Sequence, residues 1–252
     1  MIKFACPVCH NELDRDLECA NCSFSGEFKD GFYHLHRNDE TWEKCIGQVE
    51  ASERAAKKSR EETPELLVKT GIESKNINAL MFDKIMEIMG DVNGKSFLEI
   101  GGLSGWATKK FIEKGADLGI NLDIHSATAS PTDGKYIAVL GDGYYLPFAD
   151  KQFDFVYDCA ALHHFEDKLA MLKEAHRVTK NDGFYVSQGN PPRDHEIDVT
   201  RKKYMDDFGL IETMPMQKEY QSYFMEVYSN FNFLPVGINI IWWAKKQEIP
   251  RI

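Results

Sequence analysis

Hydrophobic and polar positions follow different rhythms along the chain. From Asn76 to Met89, Ile77, Leu80, Met81, Ile85, Ile88 and Met89 recur at three- and four-residue spacing, the period of one helix face. Beyond it, the apolar runs Phe97–Ile100, Leu118–Leu122 and Phe184–Ser187 read as buried strands. They alternate with helical stretches at Trp106–Glu113 and around Leu169, Leu172, Ala175 and Val178, a helix that ends at Asn181-Asp182-Gly183. That alternation predicts an α/β fold with a doubly wound and mostly parallel sheet. After Gly189-Asn190-Pro191-Pro192 breaks the chain, Val199–Phe208 reads as helix and Pro235–Ala244 as a closing strand. Between them Tyr220, Tyr223, Phe224, Tyr228, Phe231 and Phe233 form an aromatic stretch that suits core packing or the wall of an acceptor pocket.

The first part of the chain has another rhythm. Phe28, Phe32 and Tyr33 surround Asp30-Gly31, the signal of a tight turn between two short strands. Glu40 to about Leu67 is charged and largely free of Gly and Pro, and reads as a connecting helix ending near Pro64. The expected domains are a small module over 1–37, a helical linker over 38–74 and the α/β domain over 75–252.

Composition narrows the picture. At 252 residues, 43% hydrophobic and 28% charged, the chain can bury a full core. No apolar run reaches the ~20 residues of a membrane span. Met1 to Cys9 lacks the basic start and apolar stretch of a secretion signal, so a cytoplasmic location is expected. The net charge of −10 works against binding to phosphate backbones. The densest basic cluster, Lys57, Lys58 and Arg60, is flanked by Glu53, Glu61 and Glu62 and reads as a solvated helix face.

Of six cysteines, four fall within the first 22 residues: Cys6-Pro-Val-Cys9, then nine residues, then Cys19-Ala-Asn-Cys22. Two C-x-x-C turns facing each other complete a thiolate tetrahedron, and zinc fits it best. So short a segment needs the metal to fold. A pair of disulfides or a redox dithiol is the alternative. Cys45 and Cys159 are expected as free thiols, and His10 as a surface residue. The segment resembles the small zinc-ribbon domains that precede or partner with certain methyltransferases.

The chemistry gathers in Glu99-Ile-Gly101-Gly102-Leu103-Ser-Gly105, a glycine-rich turn from strand to helix with an acid before it. It resembles the Asp/Glu-x-Gly-x-Gly-x-Gly motif of class I S-adenosylmethionine-dependent methyltransferases, with Leu103 in the place of the middle glycine. The bare backbone would admit the methionine part of the cofactor, and the carboxylate its ammonium. Asp123, ending the next strand 24 residues after Glu99, suits the ribose hydroxyls or caps a turn.

The stretch from Asp142-Gly143 through Leu146-Pro147-Phe148 to Phe153-Asp154 and Leu162-His163-His164 resembles a signature of methyltransferases related to ubiquinone and menaquinone biosynthesis. The resemblance spans about residues 75–190 and implies that the doubly wound sheet has seven strands. It implies that Asp142 meets the adenine amino group with Gly143 beside it, and that Leu146 and Phe148 pack near the base. It also puts Asp158 and Cys159 at the cofactor end of the fourth strand. Asp154 is expected to bond backbone amides, Glu174 and Arg177 to be structural, and Gly183 to be a helix C-cap with Asp182 in the family's first glycine position. His163 or His164 would act as general base, or the pair would pack and cap the following helix. The acceptor is expected to be a small molecule. Ribosomal RNA guanine-N1 methylation and a non-catalytic cofactor-binding scaffold are the alternatives.

Overall fold

The computed structural model describes residues 2–40, 42–44, 46–47, 50, 75–125, 129–189, 215–236 and 239–247. One nine-stranded sheet organises them, in the order β1-β2-β5-β4-β3-β6-β7-β9-β8. Its centre is built from β3 (Ser96–Ile100), β4 (Leu118–Asp123), β5 (Tyr136–Leu140), β6 (Phe153–Cys159) and β7 (Thr179–Gln188), all parallel. The edge strands β8 (Phe231–Val236) and β9 (Asn239–Lys245) add antiparallel. These are the expected seven strands.

Successive strand residues face opposite sides, so each apolar run feeds two cores. Phe97, Phe155, Tyr157, Val186 and Ile241 meet α1 (Lys75–Met89) and α2 (Trp106–Glu113) through Met81, Phe82, Ile85 and Phe111. Leu98, Val156, Tyr185 and Trp242 meet α3 (Lys168–Val178) and α4 (Gln217–Val227) on the other side. The chain leaves β3 toward β4 and β5, then returns across β3 to β6. That reversal opens a crevice at the carboxyl ends of β3 and β6, where open α/β sheets bind ligands.

The remaining two strands come from the cysteine-rich module. β1 (Glu27–Lys29) and β2 (Phe32–His34) form a hairpin over Asp30 (φ 53°) and Gly31 (φ 86°), the doubly left-handed turn that tight hairpins require. β2 then pairs parallel with β5, setting Tyr33 beside Val139 and His34 beside Leu140. The module thus continues the central sheet instead of standing apart from it.

Two local expectations are corrected. α3 ends at Val178, and Gly183 lies inside β7, not at a C-cap. The Thr179 hydroxyl closes the helix by donating to the Ala175 carbonyl at 2.6 Å, and Lys246 Nζ donates to the His176 and Thr179 carbonyls. The end needs no glycine; Asp182, φ 63°, takes the left-handed position instead. Pro235–Ala244 is two strands: Pro235 belongs to β8, an edge where its missing N–H costs no ladder bond. Of the linker, residues 40, 42–44, 46, 47 and 50 are helical; Cys45, the rest to 74, and the Val199–Phe208 helix lie outside the described residues. No helix among the described residues is long and apolar enough to cross a membrane.

Candidate functional site

At the end of β3 the chain turns sharply. Gly101 and Gly105 both have φ 67°, and Leu103, standing where the motif has glycine, has φ 46°. A Cβ on Gly101 would lie 2.7 Å from the Ala161 methyl, and one on Gly102 would lie 2.6 Å from the Glu99 carboxyl carbon. The loop therefore lies bare against the turn after β6 and against Glu99. Glu99 accepts from the Thr108 amide at 2.8 Å and the Thr108 hydroxyl at 2.5 Å, capping α2 in place of a side chain at Gly105. Burial, with Asp123 and Asp158 nearby, pushes its carboxyl up to about 7.

Asp123, ending β4, accepts from the Leu103 amide at 2.7 Å and the His125 amide at 3.0 Å, one on each oxygen. It pins the glycine loop, and ribose hydroxyls would share its remaining lone pairs. Asn121 supports the same loop, donating to the Leu103 carbonyl at 3.1 Å and to the Tyr136 hydroxyl at 3.0 Å. Asp142 follows β5 and accepts from the Tyr144 amide at 2.9 Å. Gly143 packs under the Phe165 ring, where a Cβ would come within 2.5 Å.

Asp158 is wholly enclosed. Its oxygens accept from the amides of Ala161 and Leu162 and from the Tyr185 hydroxyl, so it caps the turn at Leu162–His164 from beneath. Cys159 is a free thiol, pushed up to about 11 by burial and beside the Gln188 amide at 3.1 Å. His163 is buried in that turn and His164 is exposed, their rings 4.0 Å apart.

Burial also raises Asp123, Asp142 and Asp158 from the ordinary aspartate value. Glu99, Asp123 and Asp142, at neighbouring strand ends, would gain from a cationic ligand. Thr108, Asn121, Tyr136 and Phe165 were not singled out from sequence. They lack a motif, and only strand register and the loop's return bring them together.

Leu146 and Phe148 are both fully buried, and Phe148 packs on Phe153 and on Phe4 of the cysteine-rich module. Glu174 and Arg177 are structural as expected: Arg177 pairs with Glu174 and donates to the Leu146 and Phe148 carbonyls. Asp154 holds the Ser96 amide, the Ser96 hydroxyl and Lys180. Of the aromatic stretch, Tyr220, Phe224 and Tyr228 are core residues, the first two packed against Trp242.

At the far end, Cys6, Cys9, Cys19 and Cys22 converge with every sulfur within 4.8 Å of the others. The separations of 3.5 Å (Cys6 to Cys22), 3.5 Å (Cys9 to Cys19) and 3.8 Å (Cys9 to Cys22) are far beyond a disulfide. They match the ~3.8 Å edge of a tetrahedron with ~2.3 Å metal–sulfur bonds. The donor set fits one zinc ion.

The family model described as "Methyltransferase domain" matches residues 98–187, from β3 through β7. That segment is a methyltransferase domain. The fold is similar to a chain from the complex of the Haloferax volcanii Trm112 methyltransferase activator (18% identity, 77% of this chain and 99% of that one, TM-score 0.58). It is also similar to S-adenosylmethionine-dependent methyltransferases from Mesorhizobium loti (17%, 65% and 96%, 0.54) and Thermotoga maritima (15%, 68% and 91%, 0.54). Identities this low speak for the fold alone. No curated protein matches the sequence.

Proposed function

We propose that the chain is an S-adenosylmethionine-dependent methyltransferase that transfers the methyl group to an oxygen or nitrogen of a small-molecule acceptor in the cytoplasm. The observation that carries the site assignment is the trio Glu99, Asp123 and Asp142, buried carboxylates at or just past the carboxyl ends of adjacent strands β3, β4 and β5. When bound, S-adenosylmethionine supplies a methyl group on a positively charged sulfur, open to in-line displacement. Gly101, Gly102 and Gly105 leave room for its amino-acid part, and Glu99 receives the ammonium. Asp123 accepts from the ribose, and Asp142 with the Gly143 backbone meets the adenine edge. Asp158 is a positioning residue that fixes the turn carrying the histidines, and Cys159 borders the crevice.

The acceptor must lose a proton as it gains the methyl group. His163 or His164, just past β6, takes that proton. Cys6, Cys9, Cys19 and Cys22 hold one zinc ion with a structural role, since four protein ligands leave no open position.

The test separates acceptors. With labelled cofactor, label entering low-molecular-weight products from metabolite fractions supports the reading. Label entering purified ribosomal RNA, with binding that falls steeply as salt rises, overturns it. His163→Ala should cut turnover far more than cofactor affinity; unchanged turnover assigns that histidine to packing.

A further inference from the structure

The segment after β5 carries Asp142 and is held from two sides: Glu174, Arg177 and Phe165 of the α/β domain grip it from one, and the cysteine-rich module grips it from the other. At its start the Leu35 amide donates to the Leu140 carbonyl at 2.9 Å, continuing the β2–β5 pairing. At its end the Ala5 amide donates to the Pro147 carbonyl at 3.0 Å, and the Ala149 amide to the Lys3 carbonyl at 3.0 Å. Between these joints lies a turn. The Tyr144 amide donates to the Asp142 carboxylate and the Tyr145 amide to the Asp142 carbonyl. Over the Tyr145 ring sits the Arg37 guanidinium, its central carbon 3.4 Å from the ring centroid. Asp39 orients the guanidinium by an ion pair of 2.7 Å, and Arg37 Nε is buried with no hydrogen-bond partner among the described residues.

We propose that Arg37 is a positioning residue of the cofactor site, its guanidinium clamping Tyr145 and thereby fixing the Asp142–Tyr145 turn that meets the adenine. The inference rests on the assignment of Asp142 to adenine. A planar cation stacked on an aromatic face resists sliding, and an ion pair at its edge fixes the direction of the plane. Tyr145 cannot turn away without losing that stack, and its amide bond carries the constraint directly to Asp142. The charge of Arg37 also reaches the carboxylate: burial raises Asp142, whereas Tyr144 and Arg37 draw it back toward the ionised form an amino group needs as acceptor. The methyltransferase domain thus lacks a complete adenine wall until the cysteine-rich module is folded against it.

The test uses the full zinc-loaded chain and binding rather than turnover. Arg37→Ala should weaken S-adenosylhomocysteine binding about ten-fold, the scale of a partly buried cation–π contact. Zinc content and melting temperature should stay at the parent values. Because Arg37 acts through Asp142, the preference for S-adenosylhomocysteine over S-inosylhomocysteine, which lacks the amino group, should shrink in the same variant. A general loss of packing would weaken both ligands alike. Tyr145→Leu removes the stack from the other side and should reproduce the loss, and the double variant should lose no more than either single one. Affinity and preference unchanged in both single variants overturn the inference. Asp142→Ala separates the two levels. If it weakens binding while Arg37→Ala does not, only the role of Arg37 falls. If it too leaves binding unchanged, the adenine assignment falls with it.

Discussion

At one edge of the sheet, β2 joins β5 over a short register, Tyr33 and His34 extended by the Leu35 amide, and the module behind it is closed by four cysteines. At the other edge, β9 runs beside β7 from Phe184 to Gln188 and is sealed by Trp242, Tyr220 and Phe224. The first edge borders the loop that carries Asp142; the second lies on the far side of the crevice from it. Aromatic burial is non-directional and stabilises the whole fold, whereas a metal-closed module fixes one short stretch of backbone. Both edges pack aromatic rings, but only the first adds four cysteines, where a loop needs placing.

The sharpest way to break that contrast is to remove a zinc ligand. Cys19→Ser should abolish stoichiometric zinc and unfold the module, because structural zinc supplies most of the folding free energy of so small a unit. Cofactor affinity should fall with it, while β3–β9 keep their fold. Metal analysis and calorimetry on the same preparation check this; fresh, reduced parent protein without about one zinc per chain removes the idea.

The converse substitution is Trp242→Ala. Trp242 is fully buried, so its truncation should cost about 3–5 kcal/mol of stability. Zinc content and the affinity of the molecules that remain folded should hold. Denaturant unfolding followed by titration below the midpoint reads both, and a parallel loss of affinity would show that the two edges are not independent.

Much of this contrast was legible in the sequence. Paired C-x-x-C spacing, the Asp30-Gly31 turn and the glycine loop announce themselves because each is local: a few residues fix the backbone that the chemistry needs. Leu103 shows the limit of motif matching. It departs from the glycine pattern yet adopts φ 46°, so the backbone demand survives without the residue. Long-range placements left no such mark. Arg37 and Tyr145 are far apart in sequence and meet because β2 pairs with β5. Phe148 sits in a motif associated with the cofactor but turns toward Phe4, since the module covers that side. Gly183 fits a helix C-cap by pattern, but Lys246, from the distant end of the chain, already holds the helix carbonyls.

Within the crevice, Asp123→Ala should weaken S-adenosylmethionine binding by ~1–3 kcal/mol, the range for hydrogen bonds to a charged group. Because Asp123 also accepts from the Leu103 amide, some of that loss would come from a loosened glycine loop. The variant carrying asparagine, which keeps one acceptor, should lose less. Unchanged affinity by calorimetry would reduce Asp123 to a turn residue.

The smallest effect follows from Glu99. Burial, chiefly, holds its carboxyl up at about 7 in the folded protein, above the 4.5 of an ordinary glutamate. An acid raised on folding is protonated more in the folded chain than in the unfolded one between those values. Its burial therefore costs the free enzyme stability as pH rises from about 4.5 to about 7, with the full cost present above that window and none below it. A bound ammonium reverses the preference, since it favours the carboxylate. Cofactor affinity should then rise with pH through the region near 7 and level off above it, by at most about ten-fold between pH 6 and 8. The gain in melting temperature on adding cofactor should grow over the same interval. Glu99→Gln should flatten both curves, because the amide carries no proton equilibrium. A pH dependence that survives in Glu99→Gln would assign the titration to another of the crevice acids, and with it the ammonium.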